Sequence, residues 1–194
     1  NVIIQSSMNS FGETMVSGNA AVSNLEGFCY NTVNGFHQAA VNYIGQNVGA
    51  HQFERVKKVF SLCVLYATLA GLLTGGLLTI FRRPLLSIYI TDSPEALAIG
   101  MKRVFFTAMP YFLFGLLDSA GGALRGMGAS LTPMIISVLG ICAFRVFWIY
   151  TFFRAFHTPE CLFVSYPISW ILTLAAQMIA YFLICRKYPK EDCV

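Results

Sequence analysis

The chain has 194 residues, of which 56% are hydrophobic and 11% charged, with a net charge of +4 and a mean hydropathy of +0.63. Soluble domains carry about 25% charged residues, so a globule surrounded by water is excluded. The positive charge lies in short clusters between apolar segments, which suits lipid head groups and not nucleic acid. The six cysteines form no CxxC pair and no Cys/His metal spacing, so neither a metal site nor a disulfide framework is expected.

Residues 1–17 read as the end of a membrane span cut at its start, because the chain opens on Asn1 within a moderately apolar stretch. Complete spans follow at 19–47, 56–81, 100–124, 131–154 and 162–185. Each is long enough to cross a hydrocarbon core roughly 30 Å thick at about 1.5 Å per residue. The breaks carry Gly45 and Gly49, Pro84 and Pro94, Gly126 and Gly128, and Pro159, all helix-ending punctuation. The predicted fold is an all-α integral membrane protein with five complete transmembrane helices and the end of a sixth. Connections this short leave no room for an extramembrane domain. One side carries Arg55, Lys57, Lys58, Arg125, Arg186, Lys187 and Lys190, the other Arg82, Arg83, Lys102, Arg103 and Arg154; the excess places the C-terminus in the cytoplasm.

The span at 19–47 is unusually polar. At 100° per residue, Ser23, Glu26, Tyr30, Asn31, Asn34, His37, Gln38, Asn42 and Gln46 share one broad face. Side-chain amides in a bilayer need partners in other helices or in water, so this face lines either a helix contact or a wet cavity. Asn31, Asn34, Gln38 and Asn42 are the candidate cavity residues. Glu26 and Asp118 are carboxylates within spans, where a charge costs on the order of 2.5–3.5 kcal/mol. Each is a candidate to carry a proton or hold a cation such as Na⁺, or else is paired with an arginine or an amide network. Tyr111, Phe114 and Thr107 share a face with Asp118, and Pro110 beside them frees a backbone carbonyl and permits a bend. Arg145 interrupts an apolar span and either snorkels outward or pairs with an acid. His37 reads as a hydrogen-bonded bundle residue or a proton relay. The GxxxG spacing from Gly71 to Gly75 permits close helix packing and is a dimerisation signal.

The segments GNAAVSNLEGF, GQNVGA followed by an Arg and Lys cluster, GALRGMGAS and RVFWIY resemble, in order and spacing, the C-terminal half of bacterial multidrug and toxic compound extrusion (MATE) transporters. The resemblance covers the whole chain. It implies one lobe of a two-lobed, twelve-helix transporter: residues 1–194 as the C-terminal six-helix lobe with its first helix truncated, the N-terminal lobe being absent. It further implies export of small organic, cationic substrates in exchange for H⁺ or Na⁺ across a bacterial plasma (inner) membrane, with no cofactor beyond the coupling ion and no enzymatic activity. In one branch of that family a carboxylate on the lobe's first helix and another on its fourth bind the coupling cation. Aligning IIQSSMNSF puts Gln5 at the first position, which makes it a cavity candidate, and aligning on LRG puts Phe114 at the second; neither is acidic.

The leading expectation is therefore alternating-access antiport, with Glu26, Asp118 or both exchanging the ion and the amide-lined cavity taking an organic cation aided by Tyr111 and Phe114. A flippase for lipid-linked oligosaccharides, from the same superfamily, is the second reading. A pyrophosphate calls for several cavity Arg or Lys residues, whereas only Arg145 reads as deep in a span. A membrane enzyme or receptor-like bundle is the third, and no HExxH, GxSxG or P-loop motif supports it.

Overall fold

The computed structural model describes residues 12–91, 93–154 and 158–186. Seven helices build it: α1 (Glu13–Gly49), α2 (Phe53–Ile80), α3 (Arg82–Tyr89), α4 (Pro94–Ala108), α5 (Tyr111–Gly126), α6 (Leu131–Phe153) and α7 (Pro159–Cys185). No strand occurs among the described residues. Local chemistry sets the helix ends. Gly12 precedes α1 at φ +92°, a conformation most side chains avoid. Ser93 caps α4 by accepting from the Ala96 N–H at 3.3 Å, with Pro94 at the first helical position.

Among the described residues three helices, α2, α6 and α7, are long and apolar enough to cross a membrane, and α4 with α5 passes as a pair bent by 46°. The span expected at 100–124 is thus broken at Met109 and Pro110, where the proline lacks the N–H that would continue the ladder. The span expected at 19–47 is extended: α1 takes in Glu13–Ser17, so the proposed boundary near residue 18 is not there. At 37 residues α1 is the longest helix, yet its polar side chains keep it below the apolarity of the other spans. Residues 1–11, which hold the rest of the proposed truncated span, lie outside the described residues.

Helix α1 runs through the middle, packed on α5, α2 and α4, while α7 closes on α5 and α6 lies outermost. Small residues let the backbones touch. A Cβ on Gly75 would strike the Ala108 carbonyl oxygen, one on Gly71 would meet the Phe112 backbone at 2.9 Å, and one on Gly122 would lie 2.7 Å from the His37 carbonyl oxygen. The Gly71/Gly75 pair is therefore used inside the bundle, against the broken span, and is closed to the dimerisation contact read from its spacing. One core cluster gathers Val22, Leu25, Val104, Tyr111 and Trp170 around the α4–α5 bend; a second joins Ile44, Phe60, Leu124 and Tyr181 at the other end.

Candidate functional site

Glu26 and His37 are eleven positions apart, which is three turns and about 16 Å along α1 on nearly the same azimuth. Each sits in its own polar cluster, one on either side of the Pro110 break.

The first cluster is built on Arg103 of α4, which is 4% exposed. Its Nη2 donates to Glu26 Oε2 at 2.9 Å. Its Nη1 donates to the Asn19 carbonyl oxygen at 2.6 Å, to Asn19 Oδ1, and to Ser23 Oγ at 3.2 Å. Nε is buried with no partner among the described residues. Thr107, one turn along α4, faces both Glu26 Oε1 and the Arg103 carbonyl oxygen. A hydroxyl has one proton for these two acceptors. With Glu26 ionised it goes to the carboxylate; with Glu26 protonated the acid donates to Thr107 and the hydroxyl turns to the carbonyl. The site thus accommodates both protonation states without stranding the Thr107 hydroxyl. Arg103, which sequence analysis assigned to a surface cluster, is a correction: Lys102 points outward to Glu160 at 2.8 Å, and its neighbour, about 100° further round the helix, points inward.

The second cluster joins α1 to α5. His37 is 5% exposed; its Nδ1 lies 2.8 Å from the Asp118 carbonyl oxygen and 3.2 Å from Asp118 Oδ1. On the opposite edge, Arg125 Nη1 approaches His37 Nε2 at 3.1 Å. Arginine only donates, so when Nε2 accepts this contact the imidazole is neutral and its proton sits on Nδ1 facing the two Asp118 oxygens. Asp118 Oδ2 is buried with no hydrogen-bond partner among the described residues. Gly122 makes this possible, since any side chain there would hold the α1 backbone away. Acid, imidazole and guanidinium thus form a chain, with one acid oxygen left without a partner among the described residues.

Between the clusters the rings of Tyr111 and Phe114 lie 5.3 Å apart, and Phe114 also meets Tyr30 at 5.9 Å and Trp170 at 5.5 Å. The predicted aromatic pair is therefore brought together, and Tyr30 and Trp170 join it. The amide row is not. Asn31, Gln38 and Asn42 are exposed and Asn34 half-buried, with no hydrogen bond to another helix among the described residues. The polar face read as one surface is divided: Glu26 and His37 turn to α4 and α5, while the amides stand 80–160° away from Glu26 and are left uncovered. Gln5 lies outside the described residues. Arg145 is buried, does not snorkel and meets no acid among the described residues: its Nε donates to Ser169 Oγ at 3.2 Å and its guanidinium carbon lies 4.1 Å from the Tyr166 ring centroid. A groove of about 620 Å³ between α1, α2 and α3, lined by residues such as Leu25, Phe28, Cys29 and Leu78, borders none of the described cavity candidates.

Residues 1–151 match the model of the MatE family. The chain belongs to the MatE family. MatE relatives include the probable multidrug resistance protein YoeA of Bacillus subtilis, 23% identical across 75% of this chain and 31% of its own length. Another is the probable multidrug resistance protein NorM of Thermotoga maritima, 26% identical across 70% and 29%. The chain therefore spans about a third of these relatives. The crystal structure of the Vibrio cholerae MATE transporter VcmN in the bent form superposes with a TM-score of 0.85 at 20% identity, covering 96% of this chain and 42% of that one. MatE proteins are membrane transporters, and that much of the sequence-based reading of function holds.

Proposed function

We propose that this chain is the C-terminal lobe of a multidrug efflux antiporter that exports small organic cations in exchange for H⁺ or Na⁺ by alternating access. The carrying observation is the half-buried Asp118 carboxylate, with one oxygen beside His37 and the other inaccessible and without a hydrogen-bond partner among the described residues, set one turn from an aromatic cluster beside a broken helix. An acid with an unpartnered oxygen takes up a proton or a cation, aromatic faces attract an organic cation, and a break permits the helix to move. Glu26 is the second coupling candidate, its charge balanced by Arg103. The uncovered amides of α1 suit a wall facing the other lobe. Removing Arg103 from the surface charges leaves seven basic residues against four, which supports a cytoplasmic C-terminus in the bacterial plasma membrane.

The test is ethidium efflux from vesicles holding the full-length protein, started separately by a Na⁺ and by a pH gradient. Efflux under one gradient names the ion, and Asp118→Asn is expected to abolish it. Unchanged efflux in Asp118→Asn and in Glu26→Gln, singly and together, removes both from coupling; no efflux under either gradient returns weight to the lipid-linked flippase. That reading gains little from Arg103, whose guanidinium is already taken up by Glu26 and Asn19.

A further inference from the structure

Helix α6 turns an almost unbroken apolar surface outward, and its buried residues are only Pro133, Arg145 and Phe153. A helix with 23 residues and so little burial brings its single mid-span cation to the interior. The geometry around it is specific. Arg145 lies on a short α-helical piece, Phe144–Trp148, between two π-helical stretches, Val138–Ala143 and Ile149–Phe153. Such widened turns are rare and concentrate at functional sites. On α7, Ser169 Oγ donates to the Tyr166 carbonyl oxygen at 2.8 Å and so turns a lone pair to Arg145 Nε, while the Tyr166 ring supports the guanidinium from its face.

This arrangement uses one of the five guanidinium N–H donors. The four on Nη1 and Nη2 meet no acceptor among the described residues, where no acid lies within ion-pair distance either; the residue as a whole is 8% exposed, and neither Nη is among the fully buried polar atoms that lack a partner. A charge at this depth is costly, and donors that keep some access can take up an acceptor that reaches them. Stacking fixes the guanidinium plane and leaves its edge free, and the partner that matches a fork of parallel N–H groups is a carboxylate. The aromatic cluster leads to this point: Tyr166 is 6.2 Å from Trp170, Trp170 is 5.5 Å from Phe114, and Phe114 is one turn from Asp118.

We propose that Arg145, stacked on Tyr166 and held by Ser169, is a subsite for the carboxylate of aromatic substrates that carry both an acid and a cationic group. This rests on the efflux reading and names which substrates the transporter prefers. The cationic end lies toward Asp118, the rings on Phe114 and Trp170, and the acid on Arg145.

Rhodamine 110 has a free carboxylate and rhodamine 123 is its methyl ester, so the pair isolates the group in question. Binding of each dye to the purified full-length protein is measured by fluorescence anisotropy, alongside its efflux from vesicles. Wild type is expected to bind the acid more tightly than the ester. Arg145→Met is expected to weaken the acid at least about tenfold and the ester less than about twofold, with Arg145→Lys recovering part of the loss. Ester binding reports that the variant is folded, and Ser169→Ala, which leaves the charge in place, is expected to lower acid affinity more mildly and again spare the ester. Equal loss for both dyes in the variants assigns Arg145 a structural role, or a protein acid as partner, and overturns the subsite. So does unchanged acid binding, or a wild type that prefers the ester. Binding without efflux under either ion gradient refutes antiport and leaves the subsite standing, so the two failures are distinguishable.

Discussion

Breaking the pair between Glu26 and Arg103 gives the sharpest test of the buried network. Arg103 is 4% exposed and the Glu26 side chain 17%, so the arginine has almost no water to fall back on and the acid a little. Replacing Glu26 by Leu leaves a buried cation held, among the described residues, by Asn19 and Ser23; loss of one partner of a buried pair costs about 3–5 kcal/mol. Arg103→Met leaves the acid with Thr107 and some solvent, and is expected to cost about 2–3 kcal/mol by the same reasoning. The double replacement removes both charges and is expected to cost about 1–2 kcal/mol, because apolar residues of similar volume often substitute for buried ion pairs without penalty. Unfolding of the full-length protein by a graded denaturing detergent, analysed as a double-mutant cycle, checks this. The expected coupling exceeds about 2 kcal/mol; costs that add to within about 0.5 kcal/mol refute the claim that the two charges depend on each other.

Three further outcomes follow from the same contacts. Thr107→Val removes the hydroxyl shared between Glu26 and the Arg103 carbonyl, and the detergent midpoint is expected to fall by about 1.5–3 kcal/mol, the range for hydrogen bonds to a charged group. Gly75→Ala drives a methyl into the Ala108 carbonyl whereas Gly76→Ala meets open space; thermal melting is expected to show about 1–3 kcal/mol lost for the first and no measurable change for the second. The ¹⁵N spectrum of histidine-labelled protein is expected to show His37, assigned by its loss in His37→Gln, as a neutral ring protonated on Nδ1. A signal protonated on Nε2 alone refutes the Arg125 contact.

The broken span was legible in the sequence, because a proline in an apolar run of that length has few other consequences. So were the polar character of α1 and the pairing of Tyr111 with Phe114, since helical spacing fixes both. Arg103 was not. In the sequence it stands beside Lys102 as half of a basic pair, and only the direction of α4 sends one outward to Glu160 and its neighbour inward to Glu26. The spacing of Arg103 and Thr107, four residues apart within a mostly apolar stretch, was the available signal. The division of the α1 face has the same origin. Helical periodicity gives each residue's direction, but which arc a neighbour covers depends on contacts such as His37 to Asp118, which are 81 positions apart. The π-helical stretches around Arg145 have no residue signature at all.

Both clusters are anchored on α1, and they hold different halves of the broken span: Glu26 holds α4, and His37 holds α5. A helix about 16 Å long between the anchors is stiff compared with the break at Met109 and Pro110, so the two halves are tied independently to one rod. Loss of one tie should loosen its own half only. Hydrogen exchange of the full-length protein tests this, because amides exchange as their local unit opens. In Glu26→Gln the peptides of Pro94–Ala108 are expected to exchange faster while those of Tyr111–Gly126 stay unchanged; in Asp118→Asn the pattern is expected to reverse. Faster exchange across both halves in either variant means that the span moves as one body, and the 46° bend is then a fixed kink and not a hinge.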